Sequence, residues 1–178
     1  MKKVLIVSTS LRKDSNSEAL AEAFARGARE AGHEVELISL RGKTVGFCRG
    51  CLVCQDKGRC VIRDDADEIC RRALTADALV FATPIYYYEM SGQLKTLLDR
   101  LNPLFPSDYA FRDVYLLTSA AEDGEQVPQR AVSGLEGWIE CFEKARLAGT
   151  VFMGGVTAAG EYKGHPALEQ AAALGRSV

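Results

Sequence analysis

The residues Val4-Leu5-Ile6-Val7 form a short apolar run with no polar break, and Ala78-Leu79-Val80-Phe81-Ala82-Thr83 does nearly the same later on. A strand apolar on both sides must be buried on both sides, as in a parallel sheet layered between helices. The stretches between such runs have helical periodicity. Ser17 can cap a helix with Ala19, Leu20, Ala23, Phe24, Ala28 and Ala31 on one face, ended by Gly32. His33 to Leu40 alternates as a second strand, which leaves His33 exposed at its start. Asp64 to Ala76 reads as a helix with Ile69, Ala73 and Leu74 inward. The strand 78–83 is stopped by Pro84, and a helix after Tyr88 carries Met90, Leu94, Leu97, Leu98 and Leu101 as far as Pro103. Val114 to Ser119 is a fourth strand, 127–147 a long helix containing Leu135, Trp138, Ile139 and Phe142, and 150–153 a fifth strand. Pro166 opens the last helix. Alternation of this kind builds an α/β fold with helices on both faces of a five-stranded parallel sheet. The 178 residues suffice for one domain with a full core, taken as 1–178.

Charge and hydropathy narrow the function classes. The net charge is −2 and no basic stripe is present, which excludes nucleic acid as the main partner. The apolar run at 4–7 breaks into Ser8-Thr9-Ser10, too early for an export signal, and no stretch is long enough to span a membrane. A cytoplasmic protein without membrane contact is expected.

In open α/β sheets ligands bind beyond the carboxyl ends of the strands, where strand order reverses. Three loops qualify. Ser8 to Ser17 crowds hydroxyls, Asn16 and the fixed charge of Arg12 between a strand and a helix start. Free N–H groups and positive potential at a helix N-terminus bind phosphate, and hydroxyls and arginine add donors. The loop has neither a Gly-x-Gly-x-x-Gly pattern nor a P-loop lysine, which favours a phosphate monoester over a dinucleotide or triphosphate. The plainer reading is a polar loop with Ser17 as an ordinary cap. The second loop, Thr83-Pro84-Ile85-Tyr86-Tyr87-Tyr88, offers flat walls and free N–H groups to a heterocycle, or packs on a neighbouring helix or subunit. The third, Ser119 to Gly124, has small residues that admit close approach of a ligand.

Four cysteines, Cys48, Cys51, Cys54 and Cys60, lie within thirteen residues in the segment 47–60, with two, two and five residues between them. Soft thiolates select iron–sulfur clusters, zinc or Cu(I), so the spacing points to metal or redox chemistry. Free or disulfide-linked cysteines in a surface loop are the alternative. Cys70 and Cys141 fall in helical patterns beside apolar neighbours and are expected to be buried. Of the two histidines, His165 lies in a loop able to approach the site.

The chain resembles the flavodoxin-like NAD(P)H-dependent FMN reductases, and within them the iron–sulfur flavoproteins. The resemblance rests on the hydroxyl-rich loop through Ser10, Arg12, Ser15, Asn16 and Ser17, and on Pro84-Ile85-Tyr86-Tyr87. It extends through Ser91-Gly92-Gln93-Leu94-Lys95-Thr96-Leu97-Leu98-Asp99-Arg100 and Gly164-His165-Pro166-Ala167-Leu168. It implies strand order 2-1-3-4-5 and an FMN phosphate held by Ser10, Arg12, Ser15, Asn16 and Ser17. Pro84, Ile85, Tyr86 and Tyr87 would border the ribityl chain and isoalloxazine, with Ser119 and Ala120 closing the far side. It further implies hydride transfer from NADH or NADPH to a quinone, flavin, small-molecule or protein acceptor. A [4Fe–4S] cluster on the cysteine loop and a homodimer or homotetramer are further implications, with contacts through the tyrosine triplet and that loop. The alternative is an iron–sulfur flavoprotein or flavodoxin-like electron carrier with no small-molecule substrate. Thr9 departs from the family's usual glycine, and the third loop lacks the glycines often found there. Lys95 and Asp99 are spaced for a structural i,i+4 pair.

Overall fold

The computed structural model describes residues 1–178. Five strands, β1 (Lys3–Ser8), β2 (Glu34–Ser39), β3 (Ala78–Tyr86), β5 (Asp113–Ser119) and β6 (Arg146–Met153), run parallel in the order β2-β1-β3-β5-β6. This is the expected order. A two-residue strand, β4 (Glu89–Met90), is added antiparallel to the end of β3. The helices are α1 (Asn16–Glu30), α2 (Val53–Lys57), α3 (Asp65–Thr75), α4 (Gly92–Arg100), α5 (Gln129–Ile139) and α6 (Ala167–Arg176).

Two cores flank the sheet, as the apolar strand runs require. Leu5, Val7, Leu79, Phe81, Val114 and Leu116 face α3, α4 and α5. Val4, Ile6, Val80, Ala82, Tyr115 and Leu117 face α1 and α6. On this second face α1 and α6 touch backbone to backbone: a Cβ at Gly27 would collide with the Ala172 carbonyl, and one at Gly175 with that of Phe24.

Three sequence expectations fail for tertiary reasons. The helix expected over 127–147 ends at Ile139, since Arg146 to Met153 pairs along the whole buried length of β5. Phe142 is drawn into an aromatic cluster with Tyr109, Phe111 and Trp138, and the Lys144 N–H donates to the Tyr109 hydroxyl at 2.9 Å. Cys141, expected in that helix and buried, therefore sits exposed in a turn. Strand β3 does not stop at Pro84. Strand β1 has already ended opposite Ala82, so proline meets an unpaired strand edge and β3 runs on to Tyr86. His33 is half-buried rather than exposed, and its Nδ1 accepts the Lys2 N–H at 3.1 Å.

One ion pair organises the segment that carries the cysteines. Arg100, 2% exposed, donates from Nη1 and Nη2 to the two carboxylate oxygens of Asp64 at 2.7 and 2.9 Å. The same nitrogens donate to the carbonyls of Gly46 at 2.8 Å and Ile62 at 3.1 Å, the two stems of the loop. Asp64 also accepts the Gly46 N–H at 2.8 Å and caps α3 through the Ala66 N–H at 3.1 Å. Burial raises the Asp64 pKa, but the Arg100 and backbone hydrogen bonds outweigh it and hold the carboxyl below its ordinary value. By contrast Lys95 and Asp99 form their i,i+4 pair in solvent, where such pairs contribute little.

Removing one partner leaves an uncompensated buried charge. Arg100→Met is expected to cost about 3–5 kcal/mol, read as a Tm drop on the order of 10 °C. Because the folded pKa of Asp64 lies below the unfolded value, its stabilisation is complete above the unfolded pKa and fades as pH falls through the folded one. The Tm gap between wild type and Asp64→Asn should thus be wide at pH 7 and narrow as pH falls below the ordinary carboxylate range. A gap unchanged over that fall would show that the carboxylate charge is not what stabilises.

Candidate functional site

The carboxyl ends of β1, β3, β5 and β6 open on one edge of the sheet. There a cavity of about 190 Å³ gathers Ser10, Arg12, Ser15 and Asn16 from the first loop with Pro84, Ile85 and Tyr86 from the second. Ser119, Ala120 and Ala121 form the opposite side. Nine of the eleven residues expected to meet a flavin thus line one space. Ser15 caps α1, its Oγ accepting the Glu18 N–H at 3.4 Å. The N–H groups of Asn16 and Ser17 have no acceptor in the chain and stand free at the positive end of the helix.

Two expected residues lie elsewhere. The Ser17 side chain is fully buried and turns to the Ser15 hydroxyl at 3.1 Å, so only its backbone serves the site. Tyr87 is 97% exposed and does not line the cavity. It occupies a two-residue hairpin turn between β3 and β4, where Tyr87 and Tyr88 have φ of 52° and 65°. Such turns favour Asn-Gly, and a side chain in this left-handed region costs about 1–2 kcal/mol per residue. The turn is tied down from outside. The Tyr88 hydroxyl donates to the Glu122 carboxylate, 2.8 and 2.9 Å from its two oxygens, and that bond raises the phenol pKa. The Arg130 guanidinium lies 6.0 Å from the Tyr88 ring centre.

The loop after β6 contributes Val156 and Thr157, which sequence reasoning missed. The signal was available: Gly154-Gly155 follows the fifth strand in the same sense as the other three loops. Arg12 fixes this loop by donating from Nη1 to the Thr157 carbonyl at 2.6 Å. Asn16 donates to the Ala158 carbonyl at 3.0 Å and accepts the Tyr162 N–H at 3.1 Å. The first loop is therefore partly spent on holding the fourth.

Thr9, the departure from glycine, has a structural use beneath the cavity. Its hydroxyl donates to the Ala82 carbonyl at 3.1 Å and lies 3.2 Å from the Ser91 hydroxyl, which accepts from Thr83 at 3.0 Å. Ser91 also caps α4 through the Leu94 N–H at 3.3 Å. All three residues are completely buried, so the network locks β1, β3 and α4 together. His165 does not enter the site. Its Nδ1 accepts the Ala167 N–H at 3.1 Å, which leaves the proton on Nε2, 3.2 Å from the Gly154 carbonyl.

The four loop cysteines border a second, larger cavity of about 510 Å³, walled by Trp138, Phe142 and Phe105. Cys48 and Cys51 are exposed, Cys60 half-buried and Cys54 buried. No three Cys, His, Asp or Glu side chains are gathered closely enough here to hold a metal ion on their own. The sulfurs nonetheless collect hydrogen bonds. Cys48 accepts the Gly50 N–H at 3.4 Å, Cys60 the Ile62 N–H at 3.4 Å, and Cys54 the Asn102 side-chain amide at 3.0 Å. Positive φ at Gly50, Leu52 and Gly58 turns the chain so that these bonds form. Exposed Cys141 borders the same cavity. Cys70 is buried as expected, and burial first, then the charges of Asp67, Cys54 and Cys60, pushes its thiol up to about 12. That keeps it a protonated, inert neighbour of the loop.

A family model described as NADPH-dependent FMN reductase matches residues 2–175. An iron–sulfur flavoprotein of Archaeoglobus fulgidus is 39% identical over 94 residues, 53% of this chain and 43% of that protein. The chain therefore spans under half the length of that relative. An iron–sulfur flavoprotein of Methanosarcina thermophila is 28% identical over 158 residues, 87% of this chain and 82% of the relative. Among solved structures, an azoreductase from Bacillus anthracis superposes with a TM-score of 0.73 over 100% of both chains at 20% identity. An NAD(P)H:quinone oxidoreductase from Methanothermobacter marburgensis does so with 0.72 over 98% of each, also at 20%. Those two likenesses bear on the fold, a flavodoxin-like parallel sheet. With the family model matched along almost its whole length, the chain belongs to the NADPH-dependent FMN reductase family.

Proposed function

We propose that the chain is an FMN-dependent oxidoreductase that takes electrons from NADH or NADPH and passes them to a quinone, a flavin or another acceptor. The observation that carries this reading is the cavity at the sheet's carboxyl edge. Its donors suit a phosphate monoester: the free N–H groups of Asn16 and Ser17, the hydroxyls of Ser10 and Ser15, and the Arg12 nitrogens not used on Thr157. Its walls suit a planar ring, with Pro84 to Tyr86 on one side and Ser119 to Ala121 on the other. When bound, FMN supplies acceptance of a hydride and its release as one or two electrons. The protein's part is to fix the phosphate, keep the ring between two backbone segments and exclude water. The Thr9–Ser91–Thr83 network holds the floor in place, and the Tyr88–Glu122 bond holds the hairpin to the third loop.

A further element of the same reading is a [4Fe–4S] cluster on Cys48, Cys51, Cys54 and Cys60, which would supply one-electron exchange. The donor chemistry supports it. N–H groups directed at cysteine sulfur stabilise thiolate and tune cluster potential. The named relatives are iron–sulfur flavoproteins. All four sulfurs border one cavity, on a loop whose stems are held by Arg100 and Asp64. Large exposed rings at Tyr87 and Phe47, near the two sites, are the surfaces that a second subunit of a homo-oligomer would cover.

Arg12→Ala is expected to weaken FMN binding roughly 10- to 100-fold, the loss of one charge-assisted contact, as measured by flavin fluorescence quenching. Protein that neither retains nor takes up FMN would overturn the reading. Anaerobically purified protein should show flavin bands above broad iron–sulfur absorption with about four irons per chain. Cys54→Ser should abolish the broad absorption and Cys70→Ser should leave it intact. Flavin bands without iron in the wild type would remove the cluster and leave the flavin reading standing.

A further inference from the structure

A separate cavity of about 420 Å³ lies on the flank of the cysteine loop and shares no lining residue with either site above. Lys57, Gly58 and Arg59 come from the loop between Cys54 and Cys60. Arg63 just precedes α3, and Asp67, Cys70, Arg71 and Leu74 lie on it. Pro103 and Leu104, in the 3-10 turn Asn102–Leu104, complete it together with Ser107. Four cations thus face one concave space that holds a single carboxylate, in a chain whose net charge is −2. Asp67 is already engaged, accepting from Arg63 Nη1 at 3.0 Å. Lys57, Arg59 and Arg71 make no hydrogen bond or ion pair within the chain. Arg72, the neighbour of Arg71 on α3, shows the contrast: it binds Glu36 at 2.6 Å and Glu68 at 2.7 Å.

We propose that this cavity binds a small phosphorylated molecule. Like charges gathered without partners repel one another, and an anion among them removes the repulsion while gaining charge-assisted hydrogen bonds. Three of the four cations are arginines, whose planar forks match phosphate oxygens in pairs. The apolar part of the wall, Leu74, Pro103 and Leu104, accepts a hydrocarbon or ring attached to the phosphate. The volume falls in the range of small-molecule sites. Because Lys57 and Arg59 belong to the loop and Arg63 and Arg71 to the α3 side, a bound anion bridges the loop to the fold behind Cys54 and Cys60. Occupancy therefore orders the cysteine segment without touching the flavin cavity. The proposal does not depend on FMN or on a cluster being present.

The test uses protein in whatever flavin state it is purified, titrated calorimetrically with phenyl phosphate and, in parallel, with inorganic phosphate at low salt. Saturable binding is expected, tighter for phenyl phosphate. The Arg59→Gln/Arg71→Gln double variant should weaken it roughly tenfold or more, and Arg59→Lys/Arg71→Lys should lose less. Both side chains are exposed and unpartnered, so the variants should fold, which circular dichroism checks. Lys163→Gln, a surface cation away from the cavity, should bind as wild type does. Absence of saturable binding overturns the proposal, as does unchanged affinity in the double glutamine variant. Release of FMN during the titration would also overturn it, by placing the ligand in the flavin cavity.

Discussion

The Arg100–Asp64 pair is the contact on which the cysteine half of the molecule hangs. A guanidinium presents five donors in a rigid fork, and four of the bonds made by this one join three segments that are distant in sequence. Asp64 completes the arrangement by capping α3 and accepting the first stem of the loop. Two opposite charges buried together are stable only when nearly every lone pair and N–H is used, and here only Arg100 Nε lacks an acceptor. The stems of the loop are therefore tied directly to α4, while its tip is joined to the body through Cys54 and Asn102.

This division separates two kinds of chemistry on one sheet. The cavity at the carboxyl edge is built from backbone N–H groups, hydroxyls and one arginine, all fixed by secondary structure. Its precision comes from elements that would form whether or not a ligand were bound. The cysteine cavity is built on irregular backbone, with left-handed residues at Gly50, Leu52 and Gly58 and exposed sulfurs at its rim. Its geometry is the more easily changed of the two. A cavity set on regular secondary structure beside a thiol loop of irregular backbone is an arrangement in which the second can be reshaped at little cost to the first.

Much of the fold was legible because strands buried on both faces leave an unmistakable apolar signature, as at Val4–Val7 and Ala78–Ala82. The loops after β1 and β3 were legible for a related reason: hydroxyls before a helix and rings after a buried strand are uncommon in plain connections. What failed depended on partners far away in sequence. Nothing local says that Ala145 to Leu147 leaves a helical period; the unpaired edge of β5 decides it. Nothing local says that Thr9 is a buried hydroxyl bonded to Ala82 and Ser91, or that Asn16 spends its amide on a loop near residue 160. Arg100 stood in plain sight within a helix pattern, yet its role rests on Asp64, thirty-six residues earlier.

Cys70 gives this architecture an internal reporter. It lies on α3 close enough to the loop for the charges of Cys54 and Cys60 to reach it, and its mostly buried thiol stays protonated. It also borders the cavity lined by Arg59, Arg63 and Arg71, which is the path by which a small alkylating reagent meets it. Its modification rate, resolved from the other cysteines by peptide mass, therefore reports whether that cavity is filled or empty, at a thiol kept slow to react by its raised pKa.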